Sequence, residues 1–207
     1  MPADALAITI RAQAKSNRNV REEKTLTKTR YTFLQRLMHW VMALILFGLL
    51  AIGLTLWGLG YEGTVGMFGE ETAGMFYKYH KTFGILVFLL VILRIVMRRA
   101  WPAPAYDPPL GGLERTVSGG IHLLLYLLMI GLPIGGWVAT AMSGYPIQFF
   151  DWTLPGLVPE NKELGEQIFL LHGIGGLAML LLILIHMAAG LKHWKLKDGI
   201  MRRISLP

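Results

Sequence analysis

Two histidines, His172 and His186, share one apolar segment, IFLLHGIGGLAMLLLILIHMAAGL, and carry the most informative chemistry in the sequence. On a helix, their separation of 14 residues becomes about 21 Å along the axis and about 40° around it. Both therefore face nearly the same side, one near each end of a stretch long enough to cross a bilayer. An ionisable side chain at membrane depth is costly and is read first as functional. Two at this spacing point to two stacked cofactor sites along one helix wall.

The sequence contains six histidines and no cysteine. Lack of thiols excludes disulfides, thiolate-held iron–sulfur clusters, Cys-ligated zinc and haem attached through C-x-x-C-H. Histidine must hold any redox metal.

The elements that position these residues follow from composition. The chain has 207 residues, 54% hydrophobic and only 16% charged, with a mean hydropathy of +0.49. A typical soluble domain is nearer one-quarter charged. Four apolar runs approach or exceed the ~20 residues that span the hydrocarbon core. They lie near Gln35–Trp57, Tyr77–Met97, Val117–Ala141 and Ile168–Leu191. The expected fold is an all-α integral membrane four-helix bundle in up-down-up-down order, since its connections are short.

Charge orients it. Eight basic residues, Arg11 through Arg36, precede or enter the first run. Arg98, Arg99 and Arg115 flank the second connection, and Lys192, Lys195, Lys197, Arg202 and Arg203 crowd the C-terminal end. The first and third connections are mainly acidic. Lys/Arg bias places both termini in the cytoplasm. The net charge of +7 is accounted for by this asymmetry, so nucleic acid is not an expected partner; membrane lipid is. Residues 1–30 have no apolar signal core and read as a basic, flexible or surface-lying arm. The first outer connection, GLGYEGTVGMFGEETAGM, is glycine-rich and expected to be irregular. The inner connection, RRAWPAPAYDPPLGG, has four prolines and cannot be helical throughout. In the 25-residue second outer connection, Phe149, Phe150 and Trp152 form either a lid or part of the interfacial aromatic belt.

Orientation assigns depth. His80 and His172 fall in the outer layer; His39, His122, His186 and His193 fall in the inner one. A six-coordinate b-type haem takes two axial imidazoles, and both layers can supply them. Count pairs His80 with His172 but leaves the inner pair open. Interfacial hydrogen bonding is the ordinary role of a histidine at a helix end, and His193, between Lys192 and Trp194, fits it. A structural zinc wants four ligands, and no compact four-residue cluster is apparent; proton-relay histidines are a further alternative. Gly84, Gly173, Gly175, Gly176, Ala188, Ala189 and Gly190 leave room for a flat macrocycle, although small residues also serve helix packing. Arg36 and Lys81 lie at the right levels to pair with haem propionates, or serve as inside charge and as a snorkelling lysine.

Taken together, RLMHW, YHKTFG with LRIVMR, HLLLYLLMIGLPIGGW, SGYPIQFF with NKELGE, and LLHGIGGLAMLLLILIHMAAGLKHW with DGIMRR resemble the bacterial cytochrome b561 family. The resemblance covers residues 31–203, leaving 204–207 as a tail. It implies an inner-membrane protein with two non-covalent b haems. It also implies His39 and His186 as ligands on the cytoplasmic side, with His80 and His172 on the periplasmic side. Some members oxidise superoxide outside and reduce ubiquinone inside. On that pattern, His122 and His193 match positions near the quinone, and Arg115 is the nearest cation in a connection lacking the expected lysines. A haem b anchor subunit of a larger respiratory complex, such as a nickel–iron hydrogenase, is the rival within this class. A non-haem transporter or assembly factor using histidine proton or metal sites is the rival outside it.

Overall fold

The computed structural model describes residues 10–18, 29–106 and 109–206. The expectation for residues 1–30 therefore falls largely outside the described residues. Residues 10–18 form helix α1, exposed along its length. Four long helices follow: α2 (Phe33–Phe68), α3 (Glu70–Ala100), α4 (Gly112–Met142) and α5 (Lys162–Leu196). Strands β1 (Ile147–Phe149) and β2 (Trp152–Leu154) form an antiparallel hairpin between α4 and α5, and Met201–Arg203 make a closing 3₁₀ turn.

Each of the four expected spans falls within one long helix. By length and composition, α2, α4 and α5 can cross a membrane. Helix α3 is the least apolar of the four and carries Lys78, Lys81 and Arg94 within the expected span. Helices α2 and α4 each pack against both α3 and α5, so the four surround a shared interior. Met38, Met42, Val91 and Met97 close its inner α2–α3 seam, and Leu50, Leu125, Met179 and Ile183 close its centre. Leu44, Val96, Leu123 and Leu181 remain exposed on the outside, as expected of a surface facing lipid.

Local chemistry sets the helix starts. The Thr32 hydroxyl accepts from the Gln35 N–H at 3.3 Å, and Gln35 Oε1 accepts from the Thr32 N–H at 3.1 Å. This reciprocal pair satisfies two N–H groups that a helix start otherwise leaves open. Asn161 caps α5 by accepting from the Leu164 N–H at 3.1 Å.

The first outer connection differs from its expected irregularity. Helix continues through Phe68, kinked at Gly60, whose φ of 65° and ψ of −175° break the ladder. Thr64 Oγ1 donates to the Gly60 carbonyl at 2.6 Å, tying the two arms together. Gly69, with φ 81°, makes the actual turn. Glu70 and Glu71 then open α3, where the helix dipole favours carboxylates. Thus glycine redirects the helix at two points rather than dissolving it.

The hairpin is fastened to α3. Thr82 Oγ1 accepts from the Phe150 N–H at 3.0 Å, Lys78 Nζ meets Asp151 Oδ1 at 2.7 Å, and Lys81 Nζ donates to the Pro146 carbonyl at 2.8 Å. Phe150 and Trp152 remain largely exposed, while the preceding residues Tyr145–Gln148 line the interior. The chain before the aromatic group, rather than the aromatic rings of Phe150 and Trp152, covers the cavity.

At the other end, the C-terminal segment is tied down. Arg36 Nη1 donates to the Ser205 carbonyl at 2.7 Å, Trp40 Nε1 to the Ile204 carbonyl at 3.0 Å, and Arg30 Nη2 to the Ser205 carbonyl at 2.8 Å. Arg203 stacks on Tyr106 at 3.7 Å and donates to the Pro104 carbonyl.

Candidate functional site

The outer histidines meet across the helical interior. His80 of α3 and His172 of α5 have ring centroids 6.1 Å apart, with planes at 79°. Both line a cavity of about 830 Å³ bounded by all four long helices and by Tyr145–Gln148. That volume lies in the range of cofactor pockets, roughly 300–1,000 Å³. His172 Nδ1 lies 3.0 Å from the Leu132 carbonyl. A carbonyl only accepts, so Nδ1 carries the proton and Nε2 is left as the metal-facing nitrogen. His80 Nδ1 is buried beside the Leu49 main chain.

Close approach to the backbone holds these rings. A Cβ on Gly53 would stand 2.6 Å from His80 Cε1, and one on Gly136 would stand 3.0 Å from His172 Cε1. Neither glycine is apparent as functional from sequence, because glycine is common in membrane helices. Gly173 admits the Trp57 indole directly against α5. Its small size therefore serves helix packing, and it lines the cavity together with Gly84 and Gly176.

The inner layer is more crowded. His39 of α2 and His186 of α5 have ring centroids 6.2 Å apart, with planes at 66°. His122 of α4 is 5.1 Å from His186, at 86°. Two metal–nitrogen bonds of about 2 Å plus two ring radii require a centroid separation of roughly 6 Å. The outer pair and the His39–His186 pair fit an iron between their rings; the His122–His186 separation is short for one. His122 Nδ1 instead lies 2.6 Å from its own helix's Ser118 carbonyl. Among the described residues, no group of three or more His, Cys, Asp or Glu forms a metal cage. The outer pair, facing a cavity of that size, thus suits haem better than a protein-only zinc site.

Arg94, another residue missed as functional in the sequence reading, stands beside His39. Its Nη2 is 3.5 Å from His39 Nδ1, and its Nε donates to Tyr126 Oη at 3.1 Å. The available signal was a charge inside an apolar span, masked by its position close to Arg98 and Arg99.

The remaining expected residues occupy distinct places. Arg36 is buried against the C-terminal segment, with Nε unpartnered, and Lys81 lies on the cavity wall with its ammonium on Pro146. His193 follows His186 by about two turns, toward the C-terminal end of α5. Its Nδ1 is 2.5 Å from Asp198 and its Nε2 is 3.4 Å from Glu114, which also pairs with Lys192 at 2.8 Å. Burial pushes the Asp198 carboxyl up, but the hydrogen bonds from His193 and the Ile200 N–H hold it below the usual carboxylate range. The Lys192 hydrogen bond likewise lowers Glu114. Arg115 is exposed in the first turn of α4.

The chain is similar to known proteins along most of its length. The family model for prokaryotic cytochrome b561 matches residues 30–205. Cytochrome b561 homolog 2 of Escherichia coli K12 is 28% identical over 185 residues, covering 87% of this chain and 93% of that protein. Cytochrome b561 homolog 1 of the same organism is 24% identical over 176 residues, covering 84% and 96% respectively. A probable superoxide oxidase CybB of Yersinia pestis is 27% identical over 126 residues, covering 60% of this chain and 72% of that protein. With the match spanning nearly every described residue from α2 to the closing turn, the chain belongs to the prokaryotic cytochrome b561 family, membrane proteins of electron transfer that bind b-type haem.

Proposed function

We propose that this chain is a two-haem cytochrome of the bacterial inner membrane, crossing it four times with both termini in the cytoplasm. It carries electrons between a periplasmic-side one-electron donor and a quinone near its cytoplasmic end. The carrying observation is the repeated separation of facing imidazoles, 6.1 Å for His80–His172 and 6.2 Å for His39–His186. Two members of these pairs stand about 21 Å apart on α5 by helical rise. His80 and His172 would hold the outer haem, and His39 and His186 the inner one. When bound, haem supplies reversible one-electron chemistry.

The protein supplies position, insulation and access. The Leu132 carbonyl orients His172, and Gly53 and Gly136 admit the outer imidazoles against neighbouring helices. The hairpin and Tyr145–Gln148 restrict water at the outer mouth. Lys81 on the cavity wall and Arg36 at the inner end are the cations available for propionates. The name of the Yersinia relative supports superoxide as the donor. His193, held between Asp198 and Glu114, supports a proton-handling role beside a quinone, with His122 and Arg115 completing that candidate region.

Purified protein expressed with adequate haem supply should show b-type Soret and α bands after dithionite reduction, and two haems per chain. Superoxide should reduce them and ubiquinone should reoxidise them. A chain devoid of haem would refute the proposal; one haem per chain would remove its two-site form.

A further inference from the structure

We propose that Arg94 is a positioning residue that makes the inner histidine pair the site of higher reduction potential. This inference rests on the two-haem reading above. Its geometric basis is the placement of one guanidinium against the His39 ring: Nη2 lies 3.5 Å from His39 Nδ1. Tyr126 fixes the guanidinium from α4 through its hydroxyl at 3.1 Å. Arg94 Nη1 is buried without a hydrogen-bond partner. A cavity of about 20 Å³ adjoins it, lined by Tyr31, Gln35 and Met38 among others, and is about large enough for one water.

No carboxylate among the described residues offsets this cation. The nearby pairs on the cytoplasmic side are Lys192–Glu114 and His193 with Glu114 and Asp198. Arginine stays protonated in proteins, so its charge persists throughout the working pH range. Coulomb interaction is weakly screened away from water. Oxidised iron carries one more positive charge than reduced iron, so a nearby fixed cation disfavours the oxidised state. The two states differ by a single electron, with no bond or proton exchanged.

Hydrogen bonding adds to the charge effect. In the outer layer, His172 Nδ1–H donates to the Leu132 carbonyl, which makes the imidazole a more basic, electron-rich ligand. His39 faces a group with donors and no acceptor. It receives no such enrichment. The outer cations differ in reach: Lys78 is paired with Asp151, and Lys81 keeps its charge but holds its ammonium on the exposed Pro146 carbonyl, whereas Arg94 touches the ligand ring itself. Both terms therefore lower the relative potential of the outer pair and raise that of the inner pair. The resulting gradient favours electron movement from the periplasmic side inward.

Spectroelectrochemical titration of the intact holoprotein tests this order. The two components are first assigned with His80→Ala and His39→Ala, each retaining the opposite haem. The component lost in His39→Ala should have the higher midpoint. Arg94→Gln should shift that midpoint downward and leave the other in place, whereas Arg94→Lys should restore most of the shift. A purely structural role would instead alter haem retention or both midpoints together. An unchanged or raised inner midpoint in Arg94→Gln, with two haems retained, overturns the proposal. If Arg94→Gln loses haem, Arg94→Lys decides: loss there too, or a reversed midpoint order in the unsubstituted protein, also overturns it. Only one haem in the unsubstituted protein would reject the underlying two-haem reading.

Discussion

The outer and inner ends of the helical interior organise their histidines by different means. At the outer end, main chain dominates: the Leu132 carbonyl meets His172, Gly53 and Gly136 receive the imidazole edges, and the Pro146 and Phe150 backbone groups secure the hairpin. At the inner end, side chains dominate. His39, His186 and His122 make a ring chain, Arg94 bridges toward Tyr126, and Arg36 and Trp40 hold the C-terminal segment. Backbone contacts impose geometry with little charge, whereas a half-buried guanidinium imposes charge. Changes at the outer end should consequently act on whether a haem is held, and changes at the inner end should also act on its potential.

Removing a ligand should have the largest effect and separates the ends most cleanly. His172→Ala should lose the outer haem and retain the inner one; His186→Ala should do the reverse. His122→Ala provides the sharper comparison because its 5.1 Å approach to His186 is too short for an intervening iron. It should retain both haems. Haem-to-protein ratios and reduced-minus-oxidised spectra would check this. Loss of one haem in His122→Ala, with retention in His39→Ala, would reverse the inner assignment.

The next effect tests whether backbone proximity controls the outer end. Gly53→Ala places a Cβ 2.6 Å from His80, so either the ring or α2 must shift. Overpacking of this kind costs about 1–3 kcal/mol, and it should weaken outer-haem retention. Gly136→Ala, with a 3.0 Å approach to His172, should be milder. Gly48→Ala meets nothing within 4 Å on the same helix as Gly53 and is the control. Thermal melting and haem content measured together should rank Gly53→Ala above Gly136→Ala, with Gly48→Ala nearly silent. Equal responses at Gly53 and Gly48 would assign the effect to helix propensity instead of imidazole contact.

These contrasts also mark what sequence makes legible. Depth, spacing and charge bias were enough to bring His80 to His172, because the outer layer offered one pairing. The inner layer offers several, and only the family resemblance favours His39; the 6.2 Å and 5.1 Å ring separations depend on packing that the sequence does not display. Gly53 and Gly136 look like any small residues in apolar helices, since their importance lies in contacts to residues distant in sequence. Arg94 was visible as a charge but not as a neighbour of His39, a relation that depends on the packing of α2 against α3. The helical continuation past Gly60 was obscured for another reason. Glycine permits a local break without preventing helix on either side, so a glycine-rich composition does not distinguish a kink from a loop.

The smallest effect tests the side-chain fastening of the outer hairpin. Lys78's hydrogen bond, followed by its positive charge, holds the exposed Asp151 carboxyl below the ordinary carboxylate range. A depressed folded-state pKa makes the contribution complete above the unfolded-state value and lost as pH falls through the folded-state value. Hairpin protection should therefore be level around neutrality and decline in acid. Asp151→Asn at neutral pH should mimic the acid loss, reducing hydrogen-exchange protection of the Phe150 amide after correction for intrinsic exchange. Salt should narrow the difference because exposed charges are screened. The Thr82 and Pro146 hydrogen bonds remain in that variant, so the hairpin should loosen rather than detach, with both inner ligands unaffected. Equal Phe150 protection in the two proteins at low salt would locate the fastening in the hydrogen bonds from Thr82 and Lys81 to the hairpin main chain.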